Sequence, residues 1–309
     1  MSIKRKPAFF VLSIFMVLNL TAMIATPAFG EVGKDGHPLL DSINEQLELE
    51  GVNYRVDYAE YITTTDGPEF GRMIIASNRG NKQMGSHFVP YDPRRWSSRD
   101  IYWLIDFVDG ATSSGLSPAE TAVAIRRAMT TWDSVPCATI PLIEVPDFGI
   151  DWGYVQWLLG YGGMPGWYAD YTHCGFLPGS FFDLIEPGGS TYILGITFTF
   201  IFIDPQTGEP SDIDANRKSD TAFRETYYND NFAWAIDTDF DVETVVLHEA
   251  GHGLSQAHFG DIFIDAGKKG KVHAAPQAVM NAVYLGIQQE LEGTDESGHC
   301  SIWAYWPNK

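Results

Sequence analysis

Three histidines and a glutamate fall within the eleven residues HEAGHGLSQAH, from His248 to His258. Side chains four apart share one face of an α-helix, so a helix here would aim His248 and His252 at one point, with Glu249 beside the first. That is the H-E-x-x-H arrangement, in which two imidazoles hold Zn2+ and the glutamate serves as general base. His258 completes a three-histidine set if the chain leaves the helix after His252 and turns back. Three neutral imidazoles leave Zn2+ one open position for a water, whose pKa falls toward ~7. Glu249 would take that water's proton as it attacks a peptide carbonyl, then pass it to the leaving amine. The chemistry implied is peptide hydrolysis without a covalent intermediate.

Such a site needs a helix that ends just past His252, and the flanking residues provide one. Asp241 offers an N-cap, and Glu243 is a first-turn carboxylate where backbone amides are exposed. Val242, Val245, Val246 and Ala250 form an apolar stripe that docks the helix on a core. Upstream, SPAETAVAIRRAMTTW reads as a second helix: Ser117 caps it, Pro118 takes the first position and Glu120 completes a capping box. Ala122, Ile125, Met129 and Trp132 make its apolar stripe. Strand signals flank that helix in DIYWLIDFV and TIPLIEV, a strand–helix–strand unit. TYILGITFTFIFID then reads as a buried strand with Phe198, Phe200 and Phe202 on one face. The fold class is α/β of the α+β kind: a small mixed sheet, a first helix and a metal-binding helix.

With these elements in place, the pattern H-E-x-x-H-x-x-x-x-x-H followed by a downstream Met is similar to that of the metzincins. Ser255 stands where their glycine usually lies. The helix exit there requires a left-handed backbone, at a cost of about 1–2 kcal/mol for a residue with a Cβ. PQAVMNAVY places Met280 where the Met-turn is expected, twenty-two residues after His258. The similarity extends through RAMTTWDSV, ILGIT, ETYYNDNFAW and DESGHCSIWAYWP, so residues 96 to 309 resemble the matrixin branch. The resemblance implies a matrixin-like catalytic domain acting as a secreted zinc endopeptidase on protein or peptide substrates.

Further expectations follow from that resemblance. Matrixins often hold a structural zinc through Asp and His, for which Asp170 and His173 in YADYTHCG are candidates. Many keep themselves inactive with a propeptide cysteine, but no cysteine precedes Cys137 here. Tyr284 lies farther past Met280 than the oxyanion-binding tyrosine of related enzymes, so packing is its expected role. Three pairings of Cys137, Cys174 and Cys300 are open on sequence alone. The resemblance packs the C-terminal tail back on the domain, which favours Cys137 with Cys300 and leaves Cys174 in a Gly-rich loop. The alternative on the same fold is a non-catalytic exported metal-binding or adhesion module, which would have no reason to keep Glu249.

A second cation site is suggested by DIDANRKSD. Asp212, Asp214, Asn216 and Asp220 fall at positions 1, 3, 5 and 9 of an acidic loop, a spacing suited to Ca2+, and matrixins commonly carry structural Ca2+. Arg217 occupies the turn position that prefers Gly, and Phe223 stands at position 12, leaving Glu225 as the carboxylate of a variant loop. His37, His87, His273 and His299 lack metal spacing and read as surface residues.

Composition sets the outer limits. The basic MSIKRK, an apolar run over residues 8 to 24 and the small-residue site Ala28-Phe29-Gly30 read as a signal peptide over residues 1–30, with a secreted or periplasmic destination. No other segment reads as a membrane span. Residues 31–95 are polar and rich in turn signals, with NYRVDYAEYI and RMIIAS as strand candidates, and read as an N-terminal extension or prosegment. Without the leader, 17 basic against 40 acidic residues leave −23. A surface so acidic repels nucleic acid. No G-x-S-x-G, P-loop or dinucleotide fingerprint is present.

Overall fold

The helix expected from SPAETAVAIRRAMTTW runs Pro118–Asp133, and its capping box forms in full: the Ser117 hydroxyl accepts from the Glu120 amide while the Glu120 carboxylate accepts from the Ser117 amide. The computed structural model to which it belongs describes residues 37–67, 73–75, 83–265 and 271–308. The leader expected over residues 1–30 lies outside them. In chain order the helices are α1 (Pro38–Leu49), α2 (Pro118–Asp133), α3 (Tyr154–Leu159), α4 (Gly179–Ile185), α5 (Val242–Gly253) and α6 (Gly293–Trp303). The strands of the main sheet are β1 (Tyr54–Thr63), β2 (Met73–Ile75), β3 (Ser86–His87), β4 (Ile101–Ile105), β5 (Leu142–Glu144), β6 (Tyr171–Leu177), β7 (Ile193–Phe202) and β8 (Ser219–Asn229). Two short pairs complete the set, β9 (Trp234–Ala235) with β10 (Phe240–Asp241), and β11 (Asp261–Asp265) with β12 (Lys271–Ala275).

The main sheet is mixed, as expected, in the order β2-β1-β7-β8-β6-β4-β5, with β3 beside β8. β5, β4, β6 and β8 run parallel, and the α2 crossover between β4 and β5 is the expected strand–helix–strand unit. β7 and β1 are each antiparallel to their neighbours. Strand alternation divides the apolar side chains between two cores. Ala59, Tyr61, Phe198, Phe200 and Phe202 face α1, α3 and α4, whereas Ile62, Trp103, Tyr171 and Leu194 face α2 and α5. Helices therefore cover both faces, which is why β7 reads as a continuous apolar run. No helix among the described residues is long and apolar enough to cross a membrane.

The stretch 31–95, read from sequence as an extension, is built into this sheet in its described part. β1 pairs with β7 along its whole length, and α1 buries Leu40, Ile43 and Leu47 in the cluster that holds Phe198 and Phe200. The polar turns around these elements hide that continuity at the level of composition.

Cys137 and Cys300 form a disulfide that ties α6 to the chain just after α2. Cys174 is free and buried within β6, not in a loop. Two histidines expected at the surface are inside. His299 is fully buried and stacks on Trp132 at 5.3 Å between ring centroids, and His87 lies 2.6 Å from the Lys218 ammonium.

Candidate metal centre

α5 begins at Asp241, whose carboxylate accepts from the Thr244 amide at 2.9 Å and the Thr244 hydroxyl at 2.6 Å. Glu243 in its first turn pairs with Arg127 from α2. The helix is braced against α2 by the Trp132 indole, which donates to the Leu247 carbonyl at 2.9 Å. It ends as the motif requires. Ser255 adopts φ +71°, the left-handed conformation usually left to glycine. Arg224, buried beneath the exit, donates to the Gly253 carbonyl at 3.0 Å and the Ser255 hydroxyl at 2.8 Å, holding the turn that a Cβ disfavours.

This exit brings His258 back over the helix. The Nε2 atoms of His248, His252 and His258 form a triangle with every side 3.0 Å. Their other ring nitrogens settle the tautomers where a partner is present. His248 Nδ1 donates to the Val279 carbonyl at 2.7 Å, and His252 Nδ1 to the Gln256 carbonyl at 2.8 Å. Both Nε2 lone pairs are thereby directed inward, the arrangement a metal-binding imidazole needs. Burial pushes His248 and His258 well below the ordinary imidazole range, so both are neutral donors. Burial also opposes charge on His252, but the Glu60 carboxylate 2.7 Å from its Nδ1 raises its pKa.

Glu249 is fully buried beside this triangle. Its Oε2 accepts from the Thr197 hydroxyl at 2.6 Å, while its Oε1 makes no hydrogen bond. Burial pushes its carboxyl up to about 7, against the lowering influence of His252 and the Thr197 hydroxyl. Three converging ring nitrogens and one orphaned carboxylate oxygen fit a divalent metal with N ligands at ~2.0–2.1 Å.

Met280 lies beneath the helix, fully buried, in van der Waals contact so close to Gly251 that a Cβ there would collide with its sulfur. Asp295 on α6 fixes the surrounding turn by accepting from the Val279 amide at 2.9 Å and the Met280 amide at 3.1 Å. Tyr284 is committed to structure, as expected: its hydroxyl donates to the Asp239 carbonyl at 2.7 Å and accepts from the Asp241 amide at 3.2 Å.

Asp170 and His173 are not brought together as a ligand pair. Asp170 takes Arg95 at 2.7 Å and the Tyr102 amide at 2.8 Å, whereas His173 bonds the Tyr228 hydroxyl at 2.7 Å. Asp170 lies just before β6 and His173 within it, and the two side chains take these separate partners.

In the acidic loop the carboxylates of Asp212, Asp214 and Asp220 do come within 4.8 Å of one another. Asp220 is already paired with Arg94 at 2.7 Å, and the Asn216 side chain donates to Asp214 at 3.0 Å. Glu225 cannot close this loop. It is buried elsewhere, accepting from the Tyr154 and Val155 amides and the Tyr227 hydroxyl.

Sequence reasoning missed Glu60 and Ile62 on β1, Thr197 on β7 and Asp295 on α6, which three different elements bring to the centre. No family model matches the chain, and no curated protein matches it.

Proposed function

We propose that the protein is a secreted zinc-dependent endopeptidase of matrixin-like type, with His248, His252 and His258 as metal ligands, Glu249 as general base and a protein or peptide as substrate. The observation that carries this reading is the equilateral Nε2 triangle beside a buried carboxylate with one unbonded oxygen. Bound zinc would supply Lewis-acid polarisation of the scissile carbonyl and acidify the attacking water. Glu249 takes the proton from that water and delivers it to the leaving nitrogen, while Thr197 holds the carboxylate in place. His258→Ala is expected to lose both zinc and casein hydrolysis. Metal content unchanged from wild type would place the third ligand elsewhere.

One observation favours a second reading, a non-catalytic metal-binding module. Glu249, His248 and His252 are all buried, and β1 of the same chain packs beside them, with Glu60 against His252 and Ile62 on the cavity that His248 lines. Casein hydrolysis by the zinc-loaded chain separates the two.

The proposal includes Ca2+ at Asp212, Asp214 and Asp220, with Asn216 close by. The ion must compete with Arg94 for Asp220. Binding to the folded state alone adds about 2.7 kcal/mol when free Ca2+ is a hundred times Kd. Thermal melts of the zinc-loaded protein in Ca2+ and in EGTA should therefore differ by several degrees, and Asp214→Ala should remove the difference. Identical melts would leave the loop a plain turn with Asp220 held by Arg94.

A further inference from the structure

β7 is the strand that flanks Glu249. A Cβ on Gly195 would meet Glu249 Cγ at 3.0 Å, and Thr197 donates directly to the carboxylate. A peptide held extended beside that carboxylate would gain its backbone hydrogen bonds by adding to an edge of β7. One edge belongs to β8 and the other to β1, so no edge is open.

β1 runs antiparallel to β7 with Glu60 opposite Thr197 and Ile62 opposite Gly195, the two β7 residues that touch Glu249. Its end is held by the opposite wall as well. The Thr63 amide donates to the Ala282 carbonyl at 3.3 Å, and the Tyr284 amide donates to the Thr63 carbonyl at 2.8 Å. That wall also contains Val279, whose carbonyl orients His248. Ile62 lines a small cavity together with Thr244, His248, Val279, Val283 and Tyr284. Two residues earlier, on the same face of the strand, the Glu60 carboxylate lies against His252, and both groups are buried. β1 is thus bonded to both walls of the centre, with one side chain lining the cavity beside a metal ligand and another tied to the next ligand.

We infer, resting on the endopeptidase reading, that β1 is the resident occupant of the peptide groove. Tyr54–Thr63 lies where an extended substrate must lie, Ile62 walls the small cavity beside His248, and an external peptide binds only when β1 is displaced. Glu60 is the tether. Its attraction to His252 makes displacement harder than the loss of ladder hydrogen bonds alone.

The test reads binding in the zinc-loaded Glu249→Gln chain, with a fluorescein-labelled octapeptide YAEYITTT, the sequence of residues 58–65, as probe. In one variant β1 is loosened by Glu60→Ala and Ile62→Gly. In another it is clamped by Thr63→Cys and Val283→Cys, which join bridge partners when oxidised. The loosened chain should bind the probe at least tenfold more tightly than the oxidised clamp, and reducing the clamp should restore the binding of the parent chain. Should the loosened chain fail to fold, by circular dichroism and zinc content, the oxidised and reduced clamp still differ under the proposal. Equal binding to clamped and unclamped chains, or binding to neither, overturns it. The two readings fail separately. Casein hydrolysis is read in the same variants with Glu249 in place: no cutting there, with the probe still bound once β1 is freed, loses only the protease reading. Cutting as fast clamped as free loses only the occupied groove.

Discussion

Glu249→Gln is expected to retain zinc and to lower casein hydrolysis about 10²–10⁴-fold, the range that general-base catalysis contributes. The substitution keeps the shape of the side chain, and the Thr197 hydroxyl at 2.6 Å can still donate to the remaining carbonyl oxygen. None of the three histidines bonds to Glu249, so the ligand set survives. What is lost is the ability to accept a proton. Steady-state hydrolysis and metal analysis of the same preparation provide the check. Undiminished hydrolysis would remove Glu249 from the mechanism, whereas loss of zinc would make it a structural support of the metal.

The largest expected effect on stability comes from breaking the Cys137–Cys300 bond. The cysteines are 163 residues apart, and closing a loop of that length removes enough unfolded-chain entropy for a stabilisation of about 5 kcal/mol, an upper bound. The loss would be felt at the site. α6 carries Asp295, which fixes the Val279 and Met280 amides, and Trp303, which donates to the Leu254 carbonyl at the end of α5. Cys137→Ser with Cys300→Ser should therefore shift the urea midpoint sharply downward and weaken zinc retention. Coincident unfolding curves would show that packing alone holds the tail.

The parts of the centre legible in the sequence are those governed by short-range periodicity. The i, i+4 pair His248 and His252, the Asp241 cap and the α2 capping box each depend on contacts within one or two helical turns. The left-handed exit at Ser255 could be placed in advance because its conformation is set by where the helix must stop. Glu60, Thr197 and Asp295 follow no such rule. They reach the centre across strand pairings and packing contacts whose register no local pattern specifies, as with Glu60 opposite Thr197. Asp170 and His173 show the opposite failure. The resemblance suggests them, and the structure gives them separate partners, Arg95 for Asp170 just before β6 and Tyr228 for His173 within it. His299 looked like a surface residue because stacking on Trp132 leaves no trace in the residues around it.

The bridge from Thr63 to Ala282 spans 219 residues, so the two walls of the centre meet only when almost the whole chain is available. Contacts of such high order close late in folding, after their loop entropy has been offset by other structure. At roughly 5–20 residues per second of synthesis, ten seconds or more separate the emergence of the first wall from that of the second. Until then β1 and α5 have no Met280 beneath the helix and no Val279–Tyr284 wall beside it. A chain interrupted before residue 279 would carry the complete histidine motif without Met280 beneath the helix and without the Val279 carbonyl that orients His248.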